Sequence, residues 1–274
     1  MRKLTSEETK SVEYDILCHI DKYCKDHNLR YFLWGGTLLG SVRHSGFIPW
    51  DDDIDIVMPR VDYEYFVQNY NSELYGVYSC ESNNFYPFWY AKAYDKRTKK
   101  IEPIAASKKF DIGVDVDIFP LDSFGNIEAV EKTISKRKFY KRIWQMSIFI
   151  NKPSLSHSKY IRKIIVHNIC SALRFIGVLN SNKIARSINR IARSFSSESG
   201  EYMLYADSNI SVPLYMDNFW FREAKQQLFE NQLFNIPHKY DALLTKIYGD
   251  YMTPPPPEKR ITHHTNNMYW RDKC

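Results

Sequence analysis

The chain has 274 residues and a mass of 32.5 kDa, enough for a large buried core, which excludes a disulfide-stapled miniprotein. Hydrophobic residues at 44% and charged residues at 26% exclude a predominantly disordered chain. The net charge of +6 hides an asymmetry: Lys132 to Ser197 holds 15 Lys and Arg and no Asp or Glu, which leaves the remainder at −9.

Taken from the N-terminus, Thr5 with Glu8 is a capping-box signal, and Val12, Ile16, Leu17, Ile20 and Cys24 follow at helical spacing, so a helix is expected to about His27. Tyr31 to Trp34 is a short apolar run that meets Gly35-Gly36, and Thr37 opens a second helical stretch: strand, glycine turn, helix. Asp53 to Val57 and Val114 to Phe119 alternate polar and apolar residues, as strands with one buried face do. Phe88 to Tyr94 and the surroundings of Ile101 read as further strands, with Asp95-Lys96 a turn. In the basic segment, Ile161, Ile164, Ile165, Ile169, Leu173 and Ile176, then Ile184, Ile188, Ile191 and Phe195, recur as in amphipathic helices with cationic faces. Leu228 to Phe234 resembles a hairpin and Tyr240 to Tyr248 a last helix, before Pro254 to Pro257 impose an extended, polyproline-like tail.

The order predicts an α+β fold: a catalytic core over residues 1–125, a basic helical insertion over 126–200, and a segment over 201–274 that completes the core. The apolar stretch from Ile161 to Leu179 carries Arg162, Lys163, His167, Asn168 and Arg174 and is not expected to cross a membrane. The N-terminal residues lack the apolar core of a secretory signal, and five cysteines contain no Cys-x-x-Cys pair; a cytoplasmic protein is expected.

The strongest chemical signal is Asp51-Asp52-Asp53-Ile54-Asp55. In a strand, residues two apart share a face, so Asp53 and Asp55 project together, and two adjacent carboxylates repel unless a cation lies between them. Hard oxygen ligands suit Mg²⁺, which takes its remaining ligands from water and substrate phosphates. Asp115 and Asp117 form a second such pair, from which a third carboxylate can be drawn. The Gly35-Gly36-Thr37 turn lets backbone approach a phosphate at a helix N-terminus. Arg43, Lys92 and Arg260 suit phosphate contacts, and His263 and His264 are further candidates near the substrate.

Gly35-Gly36-Thr37-Leu38-Leu39-Gly40-Ser41-Val42-Arg43-His44, followed by Gly46 to Ile56 with its Pro49-Trp50-Asp51-Asp52-Asp53 centre, resembles the signature of the LicD family. The likeness continues at Lys92 with Asp95 to Thr98, at Asp115 to Asp122, and at Tyr248-Gly249-Asp250-Tyr251-Met252 with the prolines and Arg260. It implies a nucleotidyltransferase-like mixed β-sheet core flanked by helices, with Gly36 and Thr37 at the nucleotide phosphates and Mg²⁺ on Asp53 and Asp55. The third metal-binding and catalytic carboxylate maps best to Asp117, with Asp115 left open. The basic insertion matches no motif of the family.

The expectation is therefore Mg²⁺-dependent transfer of a phospho-alcohol, foremost phosphocholine, from a CDP-activated donor to a sugar hydroxyl of a lipopolysaccharide, teichoic acid or capsule precursor. Transfer of ribitol or glycerol phosphate, and nucleotidyl transfer with loss of pyrophosphate, are the alternatives within the fold. A nucleic-acid binder working through the basic helices is the alternative from another class; it leaves both aspartate pairs without a purpose, and no nucleic acid is expected as a partner. Trp89, Tyr90 and Tyr86 are candidate aromatic faces for choline, and the basic helices are candidates for an anionic membrane or a lipid-linked acceptor.

Overall fold

The computed structural model describes residues 1–101, 110–148, 160–197, 200–205, 215–260 and 267–272, with the side chains of 160–167 left out. Strand β1 (Arg2–Lys3) leads into α1 (Ser6–Asp26), whose start is the expected capping box: the Glu8 amide donates to the Thr5 hydroxyl and the Thr5 amide to the Glu8 carboxylate. The stripe of α1 buries Ile16, Leu17 and Ile20 completely, each stabilising the fold by roughly 1.5–3 kcal/mol. Strand β2 (Phe32–Leu33) then passes directly into α2 (Gly35–His44), so the two glycines form the first turn of the helix.

Strand β3 (Asp55–Pro59) starts two residues later than its alternation suggests, and α3 (Arg60–Asn69) follows it at once. Next come β4 (Tyr75–Tyr78), β5 (Ala91–Asp95), β6 (Thr98–Lys100) and the long β7 (Asp115–Phe124). The basic segment supplies α4 (Ile127–Ile148), α5 (Tyr160–Phe175) and α6 (Ser181–Phe195). After β8 (Tyr202–Tyr205) and β9 (Tyr215–Asp217), the hairpin β10 (Ala224–Phe229) and β11 (Gln232–Pro237) turns at Glu230, and α7 (Tyr240–Tyr248) falls where its periodicity put it. The proline tail is extended only to Pro256; Pro257–Lys259 make a short 3₁₀ turn before β12 (Met268–Trp270).

The central sheet runs β2-β3-β7-β5-β4, with β8 beside the far half of β7 and β9 beyond it. It is mixed: β3 and β7 are parallel, and the other pairs are antiparallel. The fold is thus α+β, a mixed sheet with helices against it. Helix α6 buries Ile184, Ala185 and Ile188 in the same core as the sheet. The three basic helices leave from the end of β7 and the chain returns on β8, where Tyr202 pairs with Phe124. No described helix is long and apolar enough to cross a membrane.

Candidate active site

Strand register sets the site. Asp55 of β3 is the parallel partner of Asp117 on β7, and Asp117 is the antiparallel partner of Lys92 on β5. Three neighbouring strands therefore present acid, acid and ammonium in one row across the sheet. The glycine turn is fastened to the same point: the Asp55 amide donates to the Thr37 hydroxyl at 2.9 Å, and the Trp34 amide to the Asp55 carbonyl at 3.0 Å.

The two glycines are required for different reasons. Gly35 has a φ of +54°, which L side chains rarely adopt. At Gly36 a Cβ would fall 2.2 Å from Asp51 Oδ2. A side chain at either position strains the turn or displaces a carboxylate.

Asp53 departs from expectation. It precedes β3 and groups with Asp51 and Asp52, one carboxylate oxygen from each lying within 4.8 Å of the others. The strand-pair geometry is thus replaced by a turn of carboxylates in front of the strand end, because the ladder with β7 begins only at Asp55. Asp53 and Asp55 nonetheless line one cleft of about 520 Å³, together with Gly36, Arg43, Trp50 and Asp51. Its opposite wall comes from the end of α7 and the proline tail and includes Tyr248, Asp250, Tyr251 and Lys259.

The charges explain what this cleft can hold. Burial, with Asp53, Asp117 and Asp51 nearby, pushes the Asp55 carboxyl well above its ordinary range, and Lys92 only partly opposes this. Burial and the Asp53 charge raise Asp51 to about 7. Asp117 is raised to about 7 by burial, against Lys92. Several hard oxygen donors in mutual repulsion are a donor set that a divalent cation neutralises, so the residues fit Mg²⁺.

Asp115 is different. Lys92 donates to one of its oxygens and Lys100 to the other, the latter at 2.6 Å. Burial acts to raise it, but Lys100 and Lys92 outweigh burial and hold it at about 2. It is the lysines' counter-ion. Lys92 itself is buried and also bonds Asp117 Oδ1 at 2.5 Å, so its ammonium stands behind the acid row instead of lining the cleft.

Arg43 lines the cleft, with Nη1 donating to the Tyr251 carbonyl at 2.7 Å. Arg260 is exposed at the rim, its guanidinium over the Trp50 ring. His263 and His264 lie outside the described residues. Thr37 is buried beneath the turn and positions Asp55. Tyr86 and Trp89 are core residues, and Lys141 covers the Trp89 face at 4.8 Å, so these two are closed to a ligand.

Tyr248 and Glu13 are among the residues to which the sequence assigned no role. Tyr248 lines the cleft, and the charges of Asp55, Asp51 and Asp53 add to burial in raising its phenol. Glu13 is fully buried on α1 and raised by burial and by Asp115, with Asp53 and Asp52 contributing. Its signal was available, since it sits within the Val12-Ile16-Leu17-Ile20 stripe, where a carboxylate is out of place.

The acid row predicts an inverted pH dependence for the metal-free protein. Carboxyls raised on folding keep protons that the unfolded chain gives up near pH 4, so their destabilising effect grows as pH rises from about 4 through about 7. Metal-free protein is expected to melt several degrees lower at about pH 8 than at about pH 5.5, and saturating Mg²⁺ to remove the difference. Thermal melts at both pH values check this; a melting point that rises with pH without Mg²⁺ contradicts it.

Residues 28–152 match the LicD/FKTN/FKRP nucleotidyltransferase domain. Over 276 residues the chain is 29% identical to the lipopolysaccharide cholinephosphotransferase LicD of Haemophilus influenzae, covering 98% of this chain and 99% of that protein. An uncharacterized protein of Rickettsia typhi is 28% identical over 132 residues, 45% of this chain and 43% of its own length. Another, from Rickettsia prowazekii, is 44% identical over 49 residues, 18% of each chain. The LicD-type domain falls on the segment that holds Gly36, Asp53, Asp55 and Asp117, within a chain that is similar from end to end to a LicD protein.

Proposed function

We propose that this protein is a Mg²⁺-dependent phosphotransferase that moves phosphocholine from CDP-choline to a sugar hydroxyl of a lipopolysaccharide-type glycan. The observation that carries this reading is the in-register row of Asp55, Asp117 and Lys92 behind an acidic cleft, on a chain similar from end to end to a lipopolysaccharide cholinephosphotransferase.

Asp53 and Asp55, with Asp117, would hold the metal, which supplies positive charge against the diphosphate and the departing CMP. The turn at Gly36 lets the donor's phosphates approach backbone at the start of α2, and Arg43 adds a charged donor on the same wall. The acceptor oxygen forms a bond to the choline-bearing phosphorus as the bond from that phosphorus to CMP breaks. Asp117 takes the proton of the attacking hydroxyl. Lys92 fixes the Asp117 carboxylate while this happens.

CMP release from CDP-choline in the presence of Mg²⁺ and a glycan acceptor tests the reading. Release only from CDP-ribitol or CDP-glycerol moves the donor and keeps the reaction. Pyrophosphate from a nucleoside triphosphate, with no CMP from any CDP-alcohol, refutes the reaction itself.

The reaction takes place at an anionic membrane surface on the cytoplasmic side, where a lipid-linked acceptor is presented. In support, Ile169, Phe175, Ile176 and Val178 are exposed on α5 and the turn that follows it, Phe175 at 93%, and Lys183 and Arg190 of α6 and Arg142 of α4 are exposed as well. Arg186 does not belong to this surface: it donates to the Cys80 carbonyl at 2.7 Å and to Asn84, and Arg193 pairs with Glu64. Binding to anionic vesicles is expected in flotation at low salt. Phe175→Ser with Ile176→Ser should cut it severalfold, and Lys183→Glu with Arg190→Glu likewise. Equal flotation with neutral vesicles would refute the electrostatic part.

A further inference from the structure

The cleft lined by Asp53 and Asp55 also carries aromatic rings. Trp50, Tyr248 and Tyr251 line it alongside Asp51, Asp53, Asp55 and Asp250, against which stand the cations Arg43 and Lys259. Trp50 is partly buried, so its ring is held in place while part of it faces the opening. One face of that ring already attracts a cation: the Arg260 guanidinium lies 4.9 Å from its centroid. Arg260 is exposed, with Nε donating to the Pro255 carbonyl at 2.8 Å.

A quaternary ammonium has no N–H to donate. It is recognised by aromatic faces, tryptophan best, and by surrounding negative charge. A cleft with three aromatic residues and four carboxylates offers both, and two of those carboxylates, Asp53 and Asp55, would hold the metal for the donor's phosphates. Glycerol and ribitol ends require hydrogen-bond partners for each hydroxyl, which a ring face does not provide.

Resting on the choline reading above, we propose that the Trp50 ring face, flanked by Tyr248 and Tyr251, seats the trimethylammonium of the donor. Arg260 occupies the face as a stand-in cation and swings off from its exposed position when the donor enters. Trp50 is thereby a specificity-determining residue of the cleft.

Titration calorimetry of the full chain in Mg²⁺, with CDP and with CDP-choline, tests this through the ratio of the two dissociation constants. Wild type is expected to bind CDP-choline more tightly than CDP. Trp50→Leu should reduce that advantage by about 5- to 30-fold while leaving CDP affinity nearly unchanged, and Trp50→Phe should keep most of it. Arg260→Gln should keep or enlarge the advantage, because a competing cation is gone; losing it would overturn the displacement. If Trp50→Leu weakens CDP and CDP-choline alike, Trp50 only supports the aspartate turn and the proposal fails. If it weakens neither, the proposal also fails. Wild type that binds CDP-choline no better than CDP, yet releases CMP from CDP-glycerol or CDP-ribitol, overturns the choline reading and the seat with it. CMP release from CDP-choline by wild type, with the binding ratio unmoved by Trp50→Leu, overturns the seat alone.

Discussion

Asp55→Asn is expected to lower turnover by roughly three orders of magnitude or more, with the protein still folded. The substitution keeps the shape of the side chain and the backbone tie to Thr37, and removes one of the charges crowded in the cleft. Since burial and the neighbouring Asp53, Asp117 and Asp51 all disfavour the charged form, the metal-free variant should melt no lower than wild type. The rise in melting temperature on adding Mg²⁺ should shrink, because less binding free energy is linked to folding. CMP release and thermal melts with and without Mg²⁺ measure both effects. An active variant with an unchanged Mg²⁺ response would remove Asp55 from the metal site.

Lys92→Met is expected to cost about 3–5 kcal/mol of folding stability, the usual loss when one member of a buried ion pair is removed and the other stays charged. Lys92 and Asp115 are 6% and 2% exposed, so water does not replace the lost ammonium. Lys100 still holds the second oxygen of Asp115, which sets the effect toward the lower end. Adding Asp115→Asn should recover a large share, since the stranded charge is then gone. Urea unfolding of the single and double variants gives the numbers; a single variant within about 1 kcal/mol of wild type would show that the pair is solvated in solution.

Where periodicity and local chemistry coincide, the sequence reads directly as structure. The Thr5-Glu8 box starts α1, the Tyr240 to Tyr248 repeat is α7, and the alternation from Val114 becomes β7. The short strands β1, β4, β8, β9 and β12 carry too few residues for a period and exist through their pairing partners. Helix α4 lies within the expected helical insertion, but no stripe marked its bounds: its exposed Phe139 and Met146 and its buried Arg137 and Lys141 invert the usual pattern. The acid row was legible in residue type but not in arrangement. Only the β3–β7–β5 register shows that Asp117 stands beside Asp55 and that Lys92 faces inward, and only the late start of β3 puts Asp53 with Asp51. The aromatic residues were misjudged because alternation shows which residues face the core but not whether a ring face is covered; Trp89 lies under Lys141, whereas Trp50 opens on the cleft.

The chain departs from β7 at Phe124 and comes back opposite it at Tyr202, and the join is tight: the Ser197 amide donates to the Ser123 carbonyl at 2.8 Å, and a Cβ at Gly200 would fall 2.3 Å from the Phe124 backbone. An excursion whose two ends are clamped together transmits little of its own length to the strand it leaves. Closing a longer loop costs only about 0.6 kcal/mol per doubling, so turns of helix can be gained or lost beyond Phe124 without sliding Asp117 against Asp55. The exposed turns of the insertion can vary in length while the register of the acids stays fixed.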